Sequence, residues 1–580
     1  MTDIDRDELL ALLLDDEAPA APTGPGRRTE NGPAPLSFAQ RRLWFLQQYE
    51  VDSPAYNSAR ALRIHGRPDV AALQAALCRL IERHASLRTR FVLVDDRPMQ
   101  VIEPRVDFHL ECVDLPADAN LEAELRHRVA VPFDLGQAPL LRASLLCDED
   151  GAVLLLCLHH IVADAWSNPL LIADLGQAYA AALAGNDRAL PSLPLDYADY
   201  ATWQHQRFAG EGAAEGQAYW REYLGQDVPV LELPTDRPRS AVPRLDAARH
   251  DIRVPAATAQ AVREFCRQPH CSPFVLLLGA WQVLLARYSG QLDFAVGVPN
   301  AARSHTQVQD IVGFFVNTQV YRARLERQLT TRHLCARLRD ESRIALEQAE
   351  FPFECVLDGL NLTRDLHHTA LFQVLFNFRH SRDAQALHLP GLNVQVLDIE
   401  LESARFDLSL DVIASPDGID CRLEYVTALY DAATIDRLGQ HLCQLLQGMV
   451  AAPDSAVFSL PLMGVAERQQ LSAWNATEEN YPSYANLPAL IAEQVRATPD
   501  ALALVCGDTR LSYAELDARA NQLAHWLQGQ GVGPDVPVAV SAERSVELVV
   551  ALLGVIKAGG AYLPLDPEHP RERLQGMLAD

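Results

Sequence analysis

The sequence predicts an α/β protein built from more than one folded unit. Three observations carry that expectation. Helix-period and strand-period segments alternate along most of the chain. One strand candidate, "GAVLLLCLHH" at 151–160, is an unbroken apolar run of the kind buried on both faces of a sheet. Finally, 580 residues exceed what a single hydrophobic core accommodates.

In chain order, residues 4–16 have the leucine spacing of one short helix, with Ile4, Leu9, Leu10 and Leu13 on a small apolar face. The stretch 18–35, "APAAPTGPGRRTENGPAP", has the Pro/Gly content of a flexible linker. Folded sequence begins near Leu36. Over 69–84, Pro68 and Asp69 supply a helix start, and Val70, Leu73, Leu77, Leu80 and Ile81 share one face. "SLRTRFVLV" reads as a strand, "GAVLLLCLHH" as a second, and a helix runs from about Ser167 to Gly185. The Gly-, Pro- and Asp-rich segment 209–245 is expected to join two lobes. The second lobe opens with the strand "RHDIRVP" and the helix "SPFVLLLGAWQVLLARYSG", and ends with a helix over 431–450. Residues 484–580 alternate helix and strand again. A capping box (Ser512, Glu515) opens the helix in "LSYAELDARANQLAHWL", "VPVAVS" and "AYLPLD" read as strands, and Gly559 closes the helix between them. The expected divisions are 1–35, 36–208, 209–245, 246–455, 456–483 and 484–580.

Apolar content of 49% and charged content of 22% are globular values. A formal charge of −26 argues against nucleic acid or an anionic membrane as partner, because both would be repelled. Eleven cysteines scattered from Cys78 to Cys506, with no C-x-x-C pair, read as buried thiols of a reducing cytosol. The longest apolar run, "LVVALLGVI" at 548–556, falls far short of the roughly 20 residues that span a bilayer. A soluble, cytoplasmic, monomeric protein is expected.

The chemistry concentrates in "HHIVADAWS" at 159–167. A histidine at the end of a buried strand, just before a helix, sits where α/β folds expose reactive groups. Neutral imidazole accepts a proton near pH 7, which suits a general base. Asp164 could orient that ring or hold the loop. Two adjacent histidines alone prove little: "DLHHTALF" carries His367 and His368 with no buried strand before them and no matching aspartate. Nor is a shared metal ion expected, since consecutive strand residues point to opposite faces. One working histidine and one structural partner is the geometry this pattern favours.

These residues carry a resemblance. "HHIVADAWS" resembles the HHxxxDG motif of nonribosomal peptide synthetase condensation domains, relatives of chloramphenicol acetyltransferase. "LSFAQRRLWFL" at 36–46, "RHASLRTRF" at 83–91, "DYADYATWQ" at 196–204, "DFAVGVPNAAR" with "VGFFVNT" at 312–318, "FPFE" at 351–354 and "RDLHHTALFQV" at 364–374 resemble the other family motifs, in family order. Further on, "LSYAEL" at 511–516 and "KAGGAYLPLD" at 557–566 resemble the first two motifs of an adenylation domain. The Ser/Thr/Gly-rich phosphate loop of that domain is absent, as is a carrier-protein attachment serine, so this part is expected to be a truncated adenylation piece without adenylation activity.

The resemblance implies two chloramphenicol acetyltransferase-like lobes forming a V around a central cleft. It implies amide bond formation between a donor acyl or peptidyl thioester and an acceptor aminoacyl thioester. Both ride on 4'-phosphopantetheine arms of partner carrier proteins, one upstream and one downstream. With no carrier domain before residue 36, the donor is expected in trans if Met1 is the natural start, with residues 1–35 as a candidate docking segment. No cofactor or metal is bound by the chain itself. His160 would be the catalytic residue, His159 structural, Asp164 the holder of the loop, and Arg303 its buried partner. Trp166 and Ser167 would pack and cap the following helix. Ala165 stands where the motif has glycine, and a left-handed backbone there would make its methyl unwelcome. That departure motivates the alternative, a catalytically silent condensation-like domain that binds or gates carrier proteins.

Overall fold

The computed structural model describes residues 24–580 apart from 31, 51, 187–189, 226, 241–245, 268–270, 361–370, 381–386, 398, 400–403 and 481–485. The helix expected over 4–16, and the His367–His368 pair, lie outside the described residues. The chain divides into two compact units, Met1–Gln469 and Gln470–Asp580.

Two sheets make two lobes of the first unit. The sheet of the first lobe has five strands, in the order Asn393–Leu397, Asn57–His65, Gly151–His159, Leu141–Asp148, Glu111–Asp114. Gly151–His159 is the central strand, and every residue in it is buried. Its pleat explains the apolar run. Leu154, Leu156 and Leu158 face Leu73, Leu77 and Leu80 of the helix Val70–Arg83, together with Leu175 of the helix Ser167–Leu183. Val153 and Leu155 point the other way, toward Leu125, Val129 and Ile399. Each such leucine contributes about 2–5 kcal/mol relative to alanine, so this strand cannot shift register without losing both cores.

The second lobe holds a six-stranded sheet, in the order Asn317–Arg324, Asp293–Asn300, Val374–His380, Leu408–Ser415, Gly418–Val426, Ala247–Arg253. Val374–His380 runs parallel to both of its neighbours, and the outer pairs are antiparallel. Behind this sheet lies the helix Pro273–Ser289, started by the Ser272 side chain and by Pro at its first turn, and stopped by left-handed Gly290. Val275 through Ala286 are buried without a break, with Trp281 fully enclosed.

The structure departs from the expected divisions in three places. Residues 209–245 are not all connection: Glu211–Leu224 is a helix that buries Trp220 and Leu224. The strand Asn393–Leu397, from the second half of the chain, crosses to the first lobe and pairs antiparallel with Asn57–His65. Val457 and Leu460, expected in a linker, are buried in the core of the second lobe. Smaller differences are local. Val70 is 44% exposed, because it opens its helix beside the cap Asp69 and faces outward. A 3-10 turn, Ala85–Arg88, precedes the strand Thr89–Val94.

The second unit contains the hairpin Leu502–Cys506 with Thr509–Ser512, and the parallel pair Pro537–Val540 with Ala561–Pro564. The helix Val546–Lys557 connects that parallel pair, followed by Gly559 at φ 89°. The Ser512–Glu515 capping box is formed. Among the described residues, no helix is long and apolar enough to cross a membrane.

The two lobes of the first unit meet where Leu195, Tyr197, Tyr200 and Trp203 pack on Val308, Ile311 and Phe315. Gly313 lies under the Tyr197 ring, so closely that a Cβ there would overlap it. Gly313→Ala should therefore lower stability by about 1–3 kcal/mol through overpacking, read as a smaller free energy of unfolding in urea.

Candidate active site

The site grows from the central strand. It ends at His159, whose N–H donates to the Leu140 carbonyl (3.2 Å), and passes into the 3-10 turn His160–Val162. The His160 N–H donates to the Tyr56 carbonyl at 2.8 Å, pinning the first residue of the turn. The Gln40 side-chain amide donates to the Ile161 carbonyl at 3.1 Å. Gln40 is itself set by a reciprocal capping box with Ser37. The "LSFAQ" stretch thus supports the turn.

The two histidines do different things. His159 is 1% exposed. Its Nδ1 accepts the Ile161 N–H at 3.1 Å, which puts the ring proton on Nε2, facing the Gln47 Oε1 at 3.4 Å. Both nitrogens are therefore occupied. The His160 ring turns the other way. Its Nδ1 donates to the Ala163 carbonyl at 2.8 Å, its Nε2 has no hydrogen-bond partner among the described residues, and its plane meets Phe314 of the second lobe edge-on at 5.0 Å. Burial, reinforced by the Arg405 charge, pushes His160 down to about 3 from the ordinary 6.5. His159 is likewise pushed down to about 3 by burial, then by His160 and Arg405. Both imidazoles are neutral at pH 7.

Asp164 does not touch the His160 ring; the Ala163 carbonyl orients it. Asp164 is instead the centre of a buried knot, 2% exposed. It accepts from the Ser167 N–H (2.8 Å), the Ser167 hydroxyl (2.7 Å), the Phe315 N–H (3.0 Å) and Arg303 Nη2 (3.2 and 3.4 Å). Arg303 donates through Nη1 to the carbonyls of Val308 (2.7 Å) and Ile311 (2.6 Å), and lies over the Phe315 ring at 3.9 Å. The ion-pair side chains are 1% and 0% exposed.

The roles expected of Trp166 and Ser167 need correction. Asp164 takes the free N–H at the start of the helix Ser167–Leu183, while Ser167 Oγ accepts the Gly313 N–H of the second lobe at 3.1 Å. Trp166 is 44% exposed, but its ring packs beside the Arg303 guanidinium at 5.9 Å and its Nε1 donates to the Gln309 carbonyl at 3.0 Å. Ala165 is exposed and absent from the positive-φ residues of the chain, so its methyl meets no backbone strain.

Other motif stretches brace this centre. Tyr197 donates its hydroxyl proton to the Phe314 carbonyl and accepts from the Ser37 hydroxyl at 2.8 Å. His84 and Arg83 both grip Asp174 on the helix after the site loop, at 2.8 and 3.0 Å. The Asn317 side chain accepts from the Phe353 N–H at 2.9 Å, linking "VNT" to "FPFE". Sequence reasoning did not single out Gln40, Gln47 or Arg405 as site residues. Gln40 had a signal, its position three residues after Ser37 in a capping box; the other two had none. Among the described residues no cluster of three His, Cys, Asp or Glu could hold a metal ion.

A family model described as a condensation domain matches residues 30–472. The chain belongs to the condensation-domain family of nonribosomal peptide synthetases. An AMP-binding enzyme model matches residues 491–580, so this condensation domain is followed by part of an adenylation domain. Linear gramicidin synthase subunits D and B of Brevibacillus parabrevis are 40% and 42% identical over 96% and 94% of this chain. The chain spans 11% of the length of each of these two relatives. A four-domain nonribosomal peptide synthetase bound to AMP and glycine superposes with a TM-score of 0.82 at 24% identity, over 96% of this chain and 43% of that one. The X-domain from teicoplanin biosynthesis gives 0.71 at 27% identity, over 76% of this chain and all of the other.

Two outcomes follow for the condensation domain. Asp164→Asn or Arg303→Leu should each cost about 3–5 kcal/mol by stranding the other buried charge, and the double variant should cost less than their sum; chemical denaturation measures all three. Below pH 6.5 the unfolded chain protonates His159 while the folded one does not, so its contribution is complete above 6.5 and is lost as pH falls toward 3. His159→Gln should lower the melting temperature at pH 7 yet flatten its decline between pH 6.5 and 4.5.

Proposed function

We propose that this condensation domain forms an amide bond between a donor acyl or peptidyl thioester and the α-amine of an acceptor aminoacyl thioester. Both substrates would be tethered to carrier domains through phosphopantetheine arms. The observation that carries this reading is the state of His160: Nδ1–H is committed to a carbonyl, Nε2 has no hydrogen-bond partner among the described residues, and the ring is neutral. A ring whose conjugate acid lies so low cannot draw a proton from an ammonium ion in advance. It can accept the N–H of a neutral amine as a hydrogen bond, aim the nitrogen lone pair at the thioester carbon, and take the proton once C–N bond formation makes that nitrogen acidic. The leaving thiolate then receives the proton. Holding two tethered reactants in register supplies the remainder of the acceleration.

His159, doubly hydrogen-bonded and buried, serves the fold, and Asp164 with Arg303 holds the loop. The silent alternative loses its motive, since Ala165 is neither left-handed nor crowded. Residues 491–580 contain no phosphate loop, and we read them as unable on their own to form an adenylate. All eleven cysteines are free thiols, which suits a cytosolic location.

His160→Ala should abolish condensation while its melting temperature and circular dichroism stay near wild type; wild-type turnover in a carrier-loading mass assay would overturn the positioning role. Ala165→Gly should be at least as active as wild type, because glycine reaches every conformation alanine does. A large loss of rate would mean that the methyl shapes the donor site.

A further inference from the structure

The stretch "SARFDLSL" at 403–410 matches none of the motifs that signal the site, yet it brings a cation to it. Ala404 is 1% exposed, Phe406 stacks on Phe372 at 5.4 Å, and Asp407 accepts from Arg239 Nη1 at 3.0 Å, so the backbone around residue 405 is held on both sides. The Arg405 guanidinium stands over the Tyr56 ring, 5.1 Å from its centre. The carbonyl of that same Tyr56 accepts the His160 N–H at 2.8 Å. Arg405 therefore stands on the residue whose backbone pins the His160 turn and whose ring lies 6.3 Å from that of His159, and its charge is felt at both imidazoles. The Arg405 side chain is exposed to solvent while its guanidinium rests on the Tyr56 ring.

Among the described residues Arg405 makes no hydrogen bond and no ion pair. Glu424 lies near enough to be felt by its charge, but that carboxylate is bonded to Arg249 at 3.3 Å. A partly desolvated cation whose donors are unspent among the described residues is costly unless something anionic meets it. The Arg303 guanidinium, by contrast, spends Nη1 on two carbonyls and Nη2 on Asp164.

We infer that Arg405 is a second catalytic residue, donating to the thioester carbonyl oxygen as negative charge develops on it. This rests on the amide-forming reading above. The amine nitrogen bonds to the thioester carbon, and the carbonyl π pair moves to oxygen, where the guanidinium meets it. The oxyanion collapses, re-forming C=O and expelling sulfur with the C–S pair. The proton from nitrogen, held by His160 Nε2, passes to that sulfur. Thioester and amine become amide and thiol, with no oxidant or further reactant. The guanidinium suits the task because it stays charged and presents fixed, planar donors.

The test uses the full chain, with N-acetylated alanyl, leucyl and glutamyl thioesters of N-acetylcysteamine as donors and an alanyl thioester of the same thiol as acceptor. Amide formation is followed by mass spectrometry. Arg405→Met should lower kcat about 100-fold for all three donors with KM within about threefold, the pattern of an interaction made in the transition state. Arg405→Lys should recover part of that loss, and Arg405→Gln less, which also decides the matter if the methionine variant does not fold. Unchanged kcat, equal activity of the lysine and glutamine variants, or a loss confined to KM of the glutamyl donor would overturn the assignment, the last pointing to side-chain recognition. His160→Ala runs alongside. Full activity there removes the amide-forming reading itself, whereas a dead His160→Ala beside an active Arg405→Met removes the Arg405 role alone.

Discussion

The arrangement of this condensation domain depends on one buried carboxylate. Asp164 comes from the first lobe, and three of its partners, Arg303 and the Phe315 N–H directly and Gly313 through Ser167, come from the second. A charge this deeply enclosed is tolerated because every lone pair has a donor. Ionic contact, helix start and lobe junction coincide on the same two oxygens. The loop that carries His160 is consequently fixed from the side opposite the strand that delivers it. Its far end cannot relax without exposing an unpaired charge in the interior.

That separation of duties changes how the motif is to be understood. A carboxylate four residues after a histidine invites a relay in which the acid polarises the ring. Here the acid never reaches the ring. The Ala163 carbonyl selects the tautomer, Asp164 fixes where that carbonyl sits, and the neighbouring Arg405 charge together with burial keeps the imidazole unprotonated. A negative partner at Nδ1 would favour the imidazolium and raise its pKa. A backbone carbonyl orients the ring with far less electrostatic pull. The chemistry this permits is hydrogen-bond acceptance and late proton capture, which fits a reaction whose nucleophile must already be a neutral amine.

Much of this was legible in the residues, for identifiable reasons. Burial of Gly151–His159 on both faces follows from its lack of alternation. The opposed histidine directions, expected from a pleat, arise because the strand ends at His159 and His160 opens the turn. The Asp164–Arg303 pair came through the family resemblance, since a spacing of 139 residues has no local signal. Most of what escaped depends on where distant segments meet. Asn393–Leu397 is short, polar on much of its length, and crosses to the other lobe, so no window of sequence announces its partner. The helix Glu211–Leu224 hid behind the glycines that precede and follow it. Gln47 and Arg405 are ordinary surface types, given meaning by a histidine ring and a tyrosine ring contributed from elsewhere.

The Ala165 position illustrates how a motif departure should be weighed. Glycine at a motif position signals either a positive φ or a close approach, and only the first of these is a property of the chain alone. With no positive φ at 165 and the methyl directed outward, the backbone gives glycine no advantage here. Gly313 is the contrasting case, because the Tyr197 ring occupies the space a Cβ would need. The same residue type is thus required at one motif and dispensable for folding at another, 148 positions away by numbering (165 to 313). Whatever the Ala165 methyl does to activity, it does not act through backbone strain in the scaffold that holds His160.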